Sequence, residues 1–146
     1  MIVNNNIQSE HHARLFAFQS SLQSIDSVEI LLDELKEQLA FSEALYSTIW
    51  VVLNEAVSNA VIHGNRFDPC KKVRLSVELK WDNFICFTIK DEGPGFDYEN
   101  VPDPTSGEHI DKPNGRGVFL MKKLADLALF SDNGARVDLY FDLSKS

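Results

Sequence analysis

The strongest constraint on the fold lies between Lys72 and Lys90, where apolar residues recur at every second position. Val73, Leu75, Val77 and Leu79 share one face, opposite Arg74, Ser76, Glu78 and Lys80. This is the alternation of a half-buried strand. The next run, Phe84 to Lys90, sets Phe84, Cys86, Thr88 and Lys90 against Ile85, Phe87 and Ile89, which buries its centre on both sides. Asp82 and Asn83 supply the turn between the two. A hairpin of this kind does not stand alone in water and needs further strands or a helical layer.

The rest of the chain offers both. Arg14 to Ser20 alternates again, with Leu15, Ala17 and Gln19 opposite Phe16, Phe18 and Ser20. Leu127 to Ser131 and Arg136 to Leu143 form a second hairpin around Asp132-Asn133-Gly134. From Ser24 to Leu39 the period is helical: Ile25, Val28, Leu31, Leu32, Leu35 and Leu39 make one stripe, and Ser24 or Ser27 is placed to cap it. Ser42 caps a second helix that runs to about His63 and stops at Gly64. A third helix spans Gly115 to Asp126 through Val118, Met121, Leu124 and Ala125. Hairpin-connected strands and separately grouped helices predict an α+β fold. The expected form is a two-layer α/β sandwich, its sheet mixed but mostly antiparallel, with helices on one face.

A length of 146 residues suits one domain over 1–146 with a proper core. The net charge of −8 leaves no basic surplus to neutralise phosphates. It argues against direct nucleic-acid binding while suiting a basic protein partner. Cys70 and Cys86 are too few for a disulfide framework; Cys86 belongs to a strand core and Cys70 to a loop. Met1-Ile2-Val3-Asn4-Asn5-Asn6 lacks the basic-then-apolar order of a signal peptide. The longest uninterrupted apolar stretch, near Ile49 to Leu53, is too short to span a bilayer. The expectation is a cytoplasmic protein whose residues 1–12 are disordered and which makes no membrane contact.

Three motifs carry chemistry. On the second helix, Leu45, Ile49, Val52, Ala56 and Ala60 form the core stripe, and Glu55 and Asn59 stand one turn apart at its margin. An acid and an amide at i, i+4 share a helix face and can serve as a base and a metal ligand. The amide oxygen of Asn59 suits a hard cation such as Mg²⁺, which keeps several waters and also binds substrate phosphates. His63, one further turn on, suits a contact at the helix C-terminus. Asp91-Glu92-Gly93-Pro94-Gly95-Phe96-Asp97 follows the apolar strand. Its leading carboxylate can accept a hydrogen bond from an exocyclic amine such as that of adenine, and Gly93 and Gly95 let a base lie against the backbone. Asn114-Gly115-Arg116-Gly117-Val118 opens a helix, where free N–H groups favour a phosphate. Arg116 adds charge there, and Lys112 is within reach of a terminal phosphate. The stretch 98–114 between the two clusters, with Pro102 and Pro104, has the length of a functional loop and reads as a lid.

With these residues in this order, the chain resembles the GHKL-type (histidine-kinase-like) ATPases, whose Bergerat-type ATP-binding fold is shared by gyrase, histidine kinases and mismatch-repair proteins. The resemblance extends from Arg14 to Leu143. The compact form, with Asp-Glu-Gly-Pro-Gly-Phe-Asp and Gly-Arg-Gly, is similar to the bacterial anti-sigma-factor serine/threonine protein kinases. The family's asparagine-bearing helix falls on Asn54 to Gly64, its Asp-x-Gly-x-Gly box on Asp91, Gly93 and Gly95, and its second glycine box on Gly115 and Gly117. The resemblance implies that Asn59 coordinates Mg²⁺, that Glu55 activates the attacking hydroxyl and that Asp91 reads adenine, under an ATP lid near 98–114. It also implies a homodimer that holds a sigma factor inactive and phosphorylates a Ser or Thr of a small anti-sigma-factor antagonist. One departure is visible: where the family often has Thr after the glycine of the last hairpin, Gly134 is followed here by Ala135 and Arg136. The absent hydroxyl removes a water-mediated base contact worth ~1 kcal/mol.

Two other functions fit parts of the same pattern. One is a nucleotide-gated protein-binding module without transfer activity. The other is a histidine-kinase catalytic fragment, for which His11 and His12 are present but the residues before Arg14 are too few for a dimerisation helix pair.

Overall fold

The computed structural model describes residues 13–99 and 113–145. Five strands form one sheet: β1 (Arg14–Gln19), β2 (Lys72–Lys80), β3 (Phe84–Lys90), β4 (Leu127–Ser131) and β5 (Arg136–Asp142), in the order β1-β2-β3-β5-β4. All four pairings are antiparallel. The mixed sheet allowed by the sequence pattern is therefore antiparallel throughout its described part. β3 is the central strand, which is why both of its faces are apolar: Ile85, Cys86 and Phe87 are each 0–1% exposed.

The registers sort the side chains into two faces. Phe16, Leu75, Ile89 and Val137 stand in one cross-strand row, and Val77, Phe87 and Leu139 in another. These rows meet the helices and make the core. The opposite face carries Leu15, Ser76, Thr88, Asp138 and Leu129 in one row. Leu15 and Leu129 are exposed there.

Helix α1 (Ser24–Leu39) buries Val28, Leu31, Leu32 and Leu35. Neither serine caps it. The N-cap position is Gln23, without a side-chain cap, and the Ser24 hydroxyl donates to the Gln19 carbonyl at 2.7 Å, tying the helix start to the end of β1. Helix α2 (Glu43–Asn59) is capped as expected: the Ser42 hydroxyl accepts the Leu45 N–H at 3.1 Å. Its last turn does not close as an α-helix. Ala60–Gly64 forms a π-turn, with the Asn65 N–H donating to the Ala60 carbonyl. Taken together, Glu43–Gly64 is 22 residues long and apolar enough to cross a membrane by length and composition. The short run Ile49 to Leu53 understated this. Here the helix is a core element: Ile49, Val52, Leu53 and Val57 are fully buried among the sheet and the other helices. Helix α3 (Pro113–Leu124) begins two residues before the expected Gly115. Proline tolerates the first helical turn, where its missing N–H costs nothing.

Among the charged residues, Arg14 is the exception to the pattern. It sits on the helix-facing side at 3% exposure, its guanidinium 3.1 Å from Glu34 and 5.4 Å from the Phe16 ring centroid. The expected lid spans 98–114, and its residues 100–112 lie outside the described residues, as do residues 1–12 and Lys112.

Candidate functional site

The end of α2, Met121 of α3, the segment after β3 and the turn before β5 surround one cavity of about 430 Å³, the size of a small-molecule site. Asn59, Asp91 and Gly95 line it. Its walls are apolar: Ala56, Ile89, Met121, Val137, Phe96 and Phe130. Phe96 and Phe130 meet edge to face at 5.9 Å, and Tyr98 stacks on Phe130 at 5.3 Å, at the point where the described chain enters the expected lid.

Asp91 is held from two sides. Its N–H donates to the Ala135 carbonyl at 2.9 Å, and one carboxylate oxygen accepts the Gly93 N–H at 2.8 Å. Burial pushes its pKa up; the Gly93 N–H and the nearby Lys71 charge pull it partly back. Gly95 has φ +85°, a conformation that favours glycine, and stands against the Asn133 carbonyl. The Phe96 N–H donates to that carbonyl at 2.7 Å, so the last hairpin grips the acidic turn. At the position where the family often has Thr, Ala135 offers a methyl to the cavity and its carbonyl to Asp91.

Gly117 explains why a glycine follows Arg116. A Cβ there would overlap the Asn59 amide nitrogen and lie 3.1 Å from a Glu55 carboxylate oxygen. The second glycine box is thus pressed directly onto the Glu55–Asn59 face of α2. Gly93 does not line the cavity. It packs on the Gly64 backbone carbonyl, and a Cβ there would overlap that oxygen. Glu55 is half-buried beside the cavity rather than in its lining; Gly115 is buried and Arg116 exposed, and neither is part of the lining.

Several lining residues were not expected from the sequence. His63 lines the cavity with Ile62, Gly64 and Arg66, instead of serving only the helix end. Burial lowers its pKa, which favours the neutral imidazole. Gly64 is required for space rather than as a helix stop: a Cβ there would overlap the Asp91 carboxylate. Proximity of Gly64 to Asp91 has no local sequence signal, because 27 residues separate them. The described residues contain no group of three or more His, Cys, Asp or Glu able to hold a metal.

The sequence profile of the histidine kinase-like ATPase domain matches residues 18–141. The chain belongs to this family. Among its relatives, the anti-sigma F factor of Anoxybacillus flavithermus is 34% identical over 105 residues, covering 67% of this chain and 70% of that protein. The anti-sigma F factor of Bacillus subtilis is 35% identical over 104 residues, with the same two coverages. That of Priestia megaterium is 31% identical over 115 residues, or 76% of this chain and 69% of that protein. The fold is shared with a Mycobacterium tuberculosis protein solved as its RsbU and RsbW domains (TM-score 0.62, 16% identity), of which this chain covers 32% while 88% of this chain is matched. A histidine kinase-like ATPase domain binds ATP. In this histidine kinase-like domain the α+β architecture is the expected one, with helices on a single face of the sheet.

Proposed function

We propose that this protein is an anti-sigma factor that is also an ATP-dependent protein serine/threonine kinase, acting on an anti-sigma-factor antagonist in a partner-switching pathway. The observation that supports it most is that Asn59, Asp91 and Gly95, from separated segments, line one cavity, while Gly117 packs directly on the Asn59 amide. The relatives named anti-sigma F factor supply the biological setting.

In this reading the adenine amine donates to the free oxygen of the Asp91 carboxylate, and the base lies between Ile89, Val137 and Phe96. Gly115, Arg116 and Gly117 at the start of α3 direct N–H groups and one guanidinium toward the phosphates. Mg²⁺ fits the donor set: one neutral amide oxygen from Asn59, completed by phosphate oxygens and water, without a carboxylate cage. When bound, it neutralises charge on the transferring phosphoryl group. Glu55, one helical turn before Asn59, accepts the proton of the attacking Ser or Thr hydroxyl. The homodimer belongs to the same proposal. The exposed Leu15, Leu127 and Leu129 on the helix-free sheet face suit self-association, and sedimentation velocity reads it directly.

The deciding experiment is a calorimetric titration with ATP, with and without Mg²⁺, followed by label transfer from ATP to a small antagonist protein. Wild type is expected to bind ATP more tightly with Mg²⁺. Asn59→Ala is expected to lose that enhancement, by about tenfold or ~1.4 kcal/mol. Absence of heat with any adenine nucleotide sinks the proposal; binding without transfer leaves a nucleotide-gated module.

Asp91 adds a pH dependence whose sign follows from its raised pKa. The ionised form accepts the adenine amine, so affinity falls with acidification and does so at a higher pH than an ordinary carboxylate near about 4 would impose. Stability of the free protein runs the other way. A carboxylate with a raised folded pKa favours folding below its unfolded pKa and loses that contribution as pH rises through the folded value. Asp91→Asn is therefore expected to keep or raise the melting temperature at neutral pH while weakening ATP binding, a pair of changes that thermal melts and calorimetry separate.

A further inference from the structure

Directly after the π-turn comes Asn65, a polar residue only 1% exposed that the functional reading above does not use. Every hydrogen-bonding group of its side chain has a partner in a different element. Its amide nitrogen donates to the Ser20 hydroxyl at 2.8 Å, just past β1, and to the Lys72 carbonyl at 2.9 Å, the first residue of β2. Its amide oxygen accepts the Glu92 N–H at 2.8 Å, one residue past Asp91. Ser20 passes its own proton to the Lys71 carbonyl at 2.7 Å, which fixes it as an acceptor toward Asn65. Glu92 closes the ring through its carboxylate, which accepts the Lys72 N–H. Gly64 and Gly93 pack backbone to backbone beside this network, and the Asp91 carboxylate rests on Gly64.

The geometry points to Asn65 as the positioning residue for base recognition: it locks the peptide after Asp91 to the end of α2, so that the Asp91 carboxylate faces the cavity in one orientation. This rests on the nucleotide reading of the cavity. The physical reason is that one planar amide supplies a donor pair and an acceptor in fixed directions, and no other side chain of that size does both. Replacing it with Ala takes the side-chain acceptor from the Glu92 N–H and frees the turn to rotate. Asn65 does not itself line the cavity, and its side chain reaches the Asp91 turn through the Glu92 N–H.

The test compares ATP with purine riboside triphosphate, which lacks the 6-amino group, by calorimetric titration of the full chain. Wild type is expected to prefer ATP by roughly tenfold or more, since a hydrogen bond to a charged group is being removed. In Asn65→Ala that ratio is expected to collapse toward one, as it does in Asp91→Ala, and the double variant is expected to lose no more than either alone. Ser20→Ala, which removes one anchor and leaves the others, provides a milder version with a partial loss of preference; it keeps the inference testable where Asn65→Ala does not fold. A merely structural Asn65 would lower both affinities equally and leave the ratio intact, and that result in a folded variant overturns the inference alone. A wild type that binds neither nucleotide, or binds both equally, overturns the reading of the cavity and this inference with it.

Discussion

Gly117→Ala is expected to abolish adenine nucleotide binding, by about a hundredfold or more, while leaving the fold as stable as the wild type or slightly more so. The added methyl would overlap the Asn59 amide nitrogen and sit 3.1 Å from the Glu55 carboxylate and 3.3 Å from the Asn59 amide carbon. These are the far ends of side chains, and they can swing aside at small steric cost. Gly117 is the fifth residue of α3, where alanine is preferred over glycine by ~1 kcal/mol. Stability thus gains from the backbone about what it loses in contacts. Function does not recover in the same way, because the group that yields is the amide proposed to hold the metal, and a displacement of about 1 Å at a positioned group is enough to cost orders of magnitude.

Gly93→Ala is the informative contrast. Its Cβ would meet the Gly64 carbonyl, a backbone atom at the end of the core helix. Backbone there cannot yield without shifting α2 or the Asp91 turn, so a stability loss of ~1–3 kcal/mol is expected, with binding lost as a consequence. Differential scanning fluorimetry and calorimetry on the two variants place them in different classes. Gly117→Ala binding ATP like the wild type would remove the second glycine box from the site.

The fold was legible wherever one local period dominated. β2 and β5 show a clean alternation because one face meets helices and the other does not; α1 shows its stripe for the same reason. The burial of β3 on both faces was also readable from its apolar run, whereas β4, equally apolar on both sides, is an edge strand with Leu127 and Leu129 exposed. What escaped the sequence depends on contacts between distant segments. The burial of Arg14 is decided by Glu34 on α1 and by the Phe16 ring, neither visible in the alternation of β1. Ser24 looked like a cap because its chemistry suits one, yet its hydroxyl donates to the Gln19 carbonyl at the strand end, which also accepts the Ser21 N–H.

The candidate site follows the same division. Asn59, Asp91 and Gly95 were identified from residue type and order, and the structure brings them to one cavity. Gly64 was read as a helix stop because glycine is common there. Its φ is not in the left-handed range, and the space it leaves is filled by Asp91. His63 and Arg66 reach the cavity because the π-turn Ala60–Gly64 rotates the chain relative to a continued α-helix. No apolar period signals such a turn, and π-turns recur at functional sites.

Glu55→Gln is expected to leave ATP affinity within about threefold of wild type and to lower phosphoryl transfer by ~10²–10⁴, the range for loss of a general base. Glutamine keeps the length and shape of the side chain, so packing against Gly117 is preserved and Asn59 is not disturbed. Only the capacity to take a proton is removed. Glu55 stands beside the cavity rather than in its lining, which is where a group acting on an incoming hydroxyl belongs. In the proposed reaction the partner's hydroxyl approaches from outside the cavity, and a residue buried against the base could not meet it. Single-turnover transfer measured at saturating ATP isolates the chemical step from binding and release. Unchanged transfer in Glu55→Gln overturns the assignment of the base. Equal losses of binding and transfer would instead make Glu55 a ligand-holding group, with its carboxylate acting on the cation beside Asn59.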